Sequence, residues 1–183
     1  MCGIFGFTNW NSQTDRLFPI LALAMESRGA SSWGASNGNE VIKKLGAITH
    51  TIDHEFRNWN NNHGLIFHTR APSSGTGRAV EDAHPFQFTK LIDDEHKDFI
   101  ITKTVTGIHN GFVASHDKLK TQYADRSGFT VDSQHIFKHI LDEAPLTEIT
   151  GSGAIAWYET FIRKYRNEEN KIEIADRHLY VAR

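Results

Sequence analysis

Residues 99–108 form the segment that most constrains the fold of this chain. Their sequence is Phe-Ile-Ile-Thr-Lys-Thr-Val-Thr-Gly-Ile, and this density of β-branched residues is typical of a strand in a sheet. Such a strand needs partners, and several other segments have strand character. Further strands are predicted at residues 3–8, 41–48, 64–69, 154–161 and 178–182, with a charged hairpin loop at 163–171.

Apolar residues at helical spacing predict a first helix that follows Asp15, a suitable N-cap, and ends near residues 28–29. Ser115 can cap a second helix that extends to about residue 123, and a third helix is predicted over 132–141. Strands, then helices, then strands again indicate an α+β domain with largely antiparallel sheets.

The composition is that of one soluble globular domain covering residues 1–183. The net charge is −2 and the Lys and Arg residues are scattered, so neither nucleic acid nor an anionic membrane is indicated as a partner. No apolar run approaches the length of a membrane span, and the early polar residues argue against a signal peptide. We therefore expect a cytoplasmic protein.

The single cysteine of the chain is its second residue, Cys2. It can form neither an intramolecular disulfide nor a cysteine-based zinc site. Initiator methionine is normally removed before a small residue, so the mature chain would begin with Cys2. Its free α-amine, with a reference pKa of about 7.7–8.0, could then activate its own thiol, directly or through a water. The alternative is an ordinary small residue that leads into the first strand.

Seven segments of the chain carry its motifs: Cys2-Gly3-Ile4-Phe5-Gly6, Arg28-Gly29-Ala30-Ser31-Ser32-Trp33-Gly34, His68-Thr69-Arg70-Ala71-Pro72-Ser73-Ser74-Gly75, Asp82-Ala83-His84-Pro85, His109-Asn110-Gly111, Val131-Asp132-Ser133-Gln134 and Gly153-Ala154-Ile155-Ala156. In this order they resemble the motifs of class II glutamine amidotransferases, which are N-terminal nucleophile hydrolases. The similarity covers nearly the whole chain and is closest to the glutaminase domains of glucosamine-6-phosphate synthase and phosphoribosyl-pyrophosphate amidotransferase.

This resemblance implies a four-layer αββα sandwich and hydrolysis of L-glutamine to glutamate and ammonia. Cys2 would displace ammonia to give a γ-glutamyl thioester, which water then opens. No cofactor is implied. In the family the ammonia passes to a second site, so a separate synthase or acceptor protein is the expected partner. A homo-oligomer is compatible with the sequence.

The resemblance also assigns the two charged groups that would hold glutamine. Arg70 offers a forked guanidinium to the α-carboxylate, although an arginine at the edge of the core could equally form a salt bridge. Asp132 would pair with the α-ammonium, although an aspartate at the start of a helix is also a common N-cap.

The remaining assignments concern the reaction and the pocket wall. The Asn110 side-chain amide and the Gly111 backbone N–H would stabilise the oxyanion, whereas an Asn-Gly pair by itself predicts a hairpin turn. By resemblance Arg28, Ser73 and Ser74 would line the glutamine pocket.

The chain departs from the family pattern at three positions and at its end. Ser31 stands where the family usually has Asp, Gln134 stands where it often has Glu, and Ser115 stands where Asn is frequent. The chain also ends at Arg183, where the family continues. A glutaminase with a separate synthase subunit, a plain glutaminase and a truncated piece all fit. A pseudoenzyme that binds glutamine and acts through a partner is the competing function.

The 11 histidines raise the question of a metal site. His135 and His139 are four residues apart on a predicted helix, as are His50 and His54 elsewhere, but no His-Glu-x-x-His motif occurs. Surface or packing roles are therefore favoured over zinc binding. His68, His84 and His109 lie in the family-like segments and are interpreted as structural.

Overall fold

In a computed structural model of the protein, the described residues form two four-stranded antiparallel sheets. The model describes residues 2–50, 64–71, 79–94, 97–167 and 171–183. The first sheet has the strand order β1-β4-β2-β3, and its strands are β1 (Gly3–Phe7), β2 (Ser32–Ser36), β3 (Val41–Leu45) and β4 (Leu65–Arg70). The second sheet has the order β5-β6-β7-β8, and its strands are β5 (Phe86–Ile92), β6 (Phe99–Val113), β7 (Gly151–Tyr165) and β8 (Ile172–Ala182).

Three α-helices lie within the described residues: α1 (Ser12–Glu26), α2 (His116–Gln122) and α3 (Gln134–Asp142). Helix α1 packs on the first sheet, where Phe18 joins a core cluster with Phe67. Helix α3 packs on the second sheet, where Phe137 joins a cluster with Val105. The predicted α+β class with antiparallel sheets is confirmed. None of the described helices is long and apolar enough to cross a membrane.

The faces of the two sheets that point away from their helices meet through a third apolar cluster. Ile66 of β4 and Ile108 of β6 are both 1% exposed and belong to this cluster together with Tyr158 of β7. Because side chains alternate along a strand, each sheet thus presents one apolar face to a helix and the other to the opposite sheet.

The first helix begins earlier than the sequence predicted. Asn11, not Asp15, is the N-cap, and its side chain accepts hydrogen bonds from the backbone N–H groups of Gln13 and Thr14. The Thr14 hydroxyl accepts from the Asn11 backbone N–H at 2.6 Å, which completes a capping box. Asp15 instead lies in the first turn, where its charge complements the helix dipole.

Two strands, β2 and β5, were missed by the sequence analysis. Every residue of β2 is buried, so its Ser-Trp-Gly-Ala-Ser sequence lacks the alternation that marks a half-buried strand. Contact with the chain at His84 explains why Gly34 has no side chain: a Cβ at this position would lie 2.0 Å from the His84 carbonyl oxygen. The strand therefore allows close approach of the loop that precedes β5.

The predicted hairpin turn at His109-Asn110-Gly111 is wrong. Strand β6 continues to Val113 and pairs with β7 along its whole length, with Asn110 opposite Ala154 and Gly111 opposite Gly153. This ladder outweighs the local turn preference of an Asn-Gly pair. Pairing with β6 lengthens β7 to Tyr165, so this strand includes the first residues of the predicted charged loop at 163–171. Pairing with β7 lengthens β8, which begins at Ile172.

Candidate functional site

The pairing of β1 with β4 brings the N-terminal cysteine next to the predicted substrate arginine. Gly3 lies opposite Thr69 and Ile4 lies opposite His68, so the chain before β1 continues towards Arg70. The Cys2 thiol donates a weak hydrogen bond to the Ala71 carbonyl oxygen, with an Sγ–O distance of 3.6 Å. Cys2 is partly exposed, which keeps its sulfur accessible.

A pocket at this point joins the two sheets and the start of α3. It brings together four residues that the sequence analysis selected from four separate segments: Cys2, Arg70, Gly111 and Asp132. The five other residues that line it are Ala71, His84, His109, Val131 and Ser133.

Arg70 provides the positive charge of the pocket. It is only 3% exposed, and its Nη1 lies 3.9 Å from Oδ2 of Asp82. This distance is long for a hydrogen-bonded ion pair. The other oxygen of Asp82 accepts a hydrogen bond of 2.6 Å from the Thr130 hydroxyl. Arg70 can therefore interact with Asp82 and still form part of the pocket wall.

Asp132 provides the negative charge of the pocket. It is 8% exposed, and its Oδ2 accepts the backbone N–H of Val113 at 2.6 Å. Its Oδ1 accepts the backbone N–H of Ser133 at 2.9 Å. Ser133, not Asp132, occupies the N-cap position of α3. The carboxylate is thus fixed by two backbone donors from different elements.

Three buried histidines surround these charges. The rings of His68 and His84 lie 4.0 Å apart, and desolvation lowers the pKa of His68 to about 3 and that of His84 well below its usual value. Desolvation also lowers the pKa of His109, although the Asp132 charge opposes this shift. All three rings are therefore neutral near pH 7, and Arg70 and Asp132 carry the charge of the pocket.

The other predicted site residues have different positions. Arg28 donates from Nε to the Cys2 carbonyl oxygen at 3.0 Å, so it contacts the backbone of Cys2. Asn110 is half-buried on β6 and does not belong to the pocket lining. Alternation places it on the same face of β6 as Ile108, towards the first sheet. Ser73 and Ser74 lie outside the described residues.

Sequence reasoning missed Ser133 as a pocket residue and interpreted His84 and His109 as structural. Both ring nitrogens of the buried His84 lack a hydrogen-bond partner within the described part of the chain. The sequence could have pointed to these three residues, because each lies within one of the family-like segments. Their proximity to Cys2 depends on long-range pairing, which spacing along the chain does not reveal.

The histidine pairs do not assemble a metal site in the described ranges, where no group of three or more His, Cys, Asp or Glu residues could hold a metal ion. His135 bonds to His116 with a nitrogen–nitrogen distance of 3.1 Å. His139 bonds to the buried guanidinium of Arg126. His54 lies outside the described residues.

Comparison with known proteins gives one relative of interest. The chain is 26% identical over 184 residues to a protein described as "Probable glutamine–fructose-6-phosphate aminotransferase (isomerizing)" from Schizosaccharomyces pombe (strain 972 / ATCC 24843). The match covers 87% of this chain and 24% of that protein, so the chain spans about a quarter of the relative's length. No family model matches the chain. The similarity supports a relationship to class II glutamine amidotransferases and leaves the individual family open.

Proposed function

We propose that this protein hydrolyses L-glutamine to glutamate and ammonia with Cys2 as the nucleophile. One observation carries the proposal: a single pocket holds a thiol, a buried guanidinium and a buried carboxylate that come from distant parts of the chain. The similarity to an aminotransferase that is named for its use of glutamine supports the same substrate.

The charges of the pocket suit a free amino acid, for which its cavity of about 10 Å³ would have to open. The guanidinium of Arg70 would bind the α-carboxylate, and Asp132 would bind the α-ammonium. Both side chains are less than a tenth exposed, so these ion pairs would form away from bulk water, where electrostatic interactions are stronger. The side-chain amide of glutamine would then extend towards Cys2.

The reaction would proceed in two steps. The Cys2 sulfur forms a bond to the amide carbon while its proton passes to the α-amine that Met1 removal exposes. Collapse of the tetrahedral intermediate breaks the carbon–nitrogen bond, and ammonia leaves with that proton. Water then adds to the γ-glutamyl thioester, which releases glutamate and restores the thiol. The Gly111 N–H, with the amide of Asn110, would stabilise the oxyanion.

The proposal includes an architecture and a partner. The two sheets with helices on their outer faces support a four-layer αββα sandwich of the N-terminal nucleophile hydrolase type over residues 1–183. A separate synthase or acceptor protein would receive the ammonia. Arg28, Ser73 and Ser74 are proposed to complete the pocket wall.

A glutamine-binding protein without catalytic activity is the second candidate. The position of Asn110 favours it, because this residue lies outside the pocket lining and would have to turn towards the amide carbonyl to act as an oxyanion donor. Such a protein would keep Arg70 and Asp132 but would not form the thioester.

Intact-mass spectrometry before and after incubation with the glutamine analogue 6-diazo-5-oxonorleucine tests the proposal. We expect a mass that lacks Met1 and a single covalent adduct that maps to Cys2. Cys2→Ala should neither acquire the adduct nor release ammonia from glutamine, with an unchanged circular-dichroism spectrum. A retained Met1 with no adduct would favour the inactive binding protein, and full activity of Cys2→Ala would refute the nucleophile.

A further inference from the structure

A chain of contacts links the Asp132 carboxylate to a buried histidine. His109 Nδ1 lies 2.8 Å from the Ser133 hydroxyl oxygen, and the Ser133 backbone N–H donates to Asp132 Oδ1 at 2.9 Å. All three residues are less than a tenth exposed and line the pocket that contains Cys2. The link therefore extends from strand β6 to the start of α3 and ends at the proposed ammonium site.

The Ser133 hydroxyl is diverted from its usual local role. Ser133 is the N-cap of α3, a position where serine commonly accepts a hydrogen bond from the first turn of the helix. Its side chain makes no capping bond here. The preceding turn is stabilised instead by Gln134, whose Oε1 accepts the backbone N–H groups of Thr130 and Val131 at 3.0 and 2.9 Å.

The Ser133 hydroxyl lies between the imidazole and the carboxylate. Its Oγ is 2.8 Å from His109 Nδ1, and it donates to Asp132 Oδ1 at 3.5 Å. A hydroxyl has one proton to give and can accept another hydrogen bond, so the donation to Asp132 leaves the Ser133 oxygen as the acceptor for a proton on His109 Nδ1.

Glycines make room for the His109 ring. A Cβ on Gly153 would lie 2.5 Å from His109 Nε2, and a Cβ on Gly111 would lie 2.6 Å from the same atom. Both distances are too short for real side chains. The paired glycines of β6 and β7 therefore leave room for the imidazole at the position where it contacts Ser133.

We propose that His109 and Ser133 are positioning residues that hold Asp132 for recognition of the substrate α-ammonium. His109 anchors the Ser133 hydroxyl, Ser133 contacts Oδ1 of the carboxylate through both its backbone N–H and its hydroxyl, and the Val113 N–H fixes Oδ2 at 2.6 Å. This inference rests on the proposed glutamine pocket and specifies what aligns its negative end.

The test compares two ligands that differ only in the group Asp132 would bind. L-Glutamine and glutaramate, which is glutamine without the α-amino group, are titrated into Cys2→Ala protein and followed by ¹H–¹⁵N chemical shifts. This background separates binding from turnover. Ser133→Ala and Ser133→Thr are then added to it. Ser115→Ala is the matched control, because Ser115 is also buried and bonds the Thr150 backbone N–H through its hydroxyl.

We expect Ser133→Ala to raise the dissociation constant of glutamine about tenfold, as for loss of one hydrogen bond that supports a charged group. The constant for glutaramate should not change. Ser133→Thr, which keeps the hydroxyl, should restore most of the glutamine affinity, and Ser115→Ala should alter neither ligand.

Three outcomes decide between the inference and the function. Equal weakening of both ligands by Ser133→Ala, or of neither, would overturn the positioning role. Absence of glutamine binding by Cys2→Ala protein would overturn the pocket and the inference together. If the binding pattern holds while the protein with its cysteine intact releases no ammonia from glutamine, hydrolysis is refuted and the positioning role stands.

Discussion

The buried His68 should make the protein sensitive to acid, and His68→Gln should remove a defined part of that sensitivity. His68 is 0% exposed, and its Nε2 lies 3.2 Å from the His109 carbonyl oxygen, which only accepts. The neutral ring donates its Nε2 proton to this oxygen. Its Nδ1 has no hydrogen-bond partner within the described residues, so protonation would bury a cationic N–H without an acceptor.

The size of the effect follows from the two states of His68. Its pKa falls from 6.5 to about 3 in the folded protein, mainly through desolvation. Between these values the unfolded chain binds a proton that the folded chain does not, so stability is complete above the unfolded pKa and is lost as the pH falls. From about pH 7.5 to about pH 4.5 this residue alone should lower the free energy of unfolding by about 3 kcal/mol.

Urea denaturation at these two pH values, followed by tryptophan fluorescence, measures the effect. Trp33 is 1% exposed and stacks on Phe67, so its emission should report loss of the core. His68→Gln can still donate an amide N–H to the His109 carbonyl. Because the other titrating groups are common to both proteins, the wild type should lose about 3 kcal/mol more than the variant on acidification. Equal losses in the two proteins would refute the argument.

Three further substitutions test the site and the packing. Arg70→Ala should chiefly raise the KM for glutamine, because it removes ground-state binding, and Asn110→Ala should chiefly lower kcat by about a hundredfold or more. Steady-state ammonia release measures both, and unchanged kinetics in both would refute their roles. Gly107→Ala would place a Cβ 2.0 Å from the ring of Phe137 and should destabilise the fold by about 1–3 kcal/mol in urea titrations. Gly128→Ala, with nothing within 4 Å of its Cβ, is the control and should lie within about 1 kcal/mol of wild type.

The sequence predicted those elements whose signal is local. The β-branched run at 99–108 lies entirely within β6, and the α+β class followed from the order of strands and helices. Helix α3 begins two residues later than predicted and ends one residue later, because its start depends on cap geometry. These signals come from propensity and spacing, which neighbouring residues alone determine.

Elements that depend on distant partners were missed or misplaced. Strand β2 has no alternation because it is buried on both faces, and only its pairing with β4 and β3 defines it. The Asn-Gly turn was predicted from local preference, whereas fifteen residue pairs between β6 and β7 keep the backbone extended through Gly111. A local preference of this kind is weak compared with a complete ladder of hydrogen bonds.

The candidate site shows the same division. The sequence by itself selected Cys2, Arg70, Gly111 and Asp132 from their chemistry and from family-like segments, and the structure places all four at one pocket. Only the tertiary structure decided that Ser133 and two buried histidines join them and that Asn110 lies outside the lining. The physical reason is that residue type follows from chemistry along the chain, whereas proximity and burial, which lower the histidine pKa values, arise when the two sheets pack.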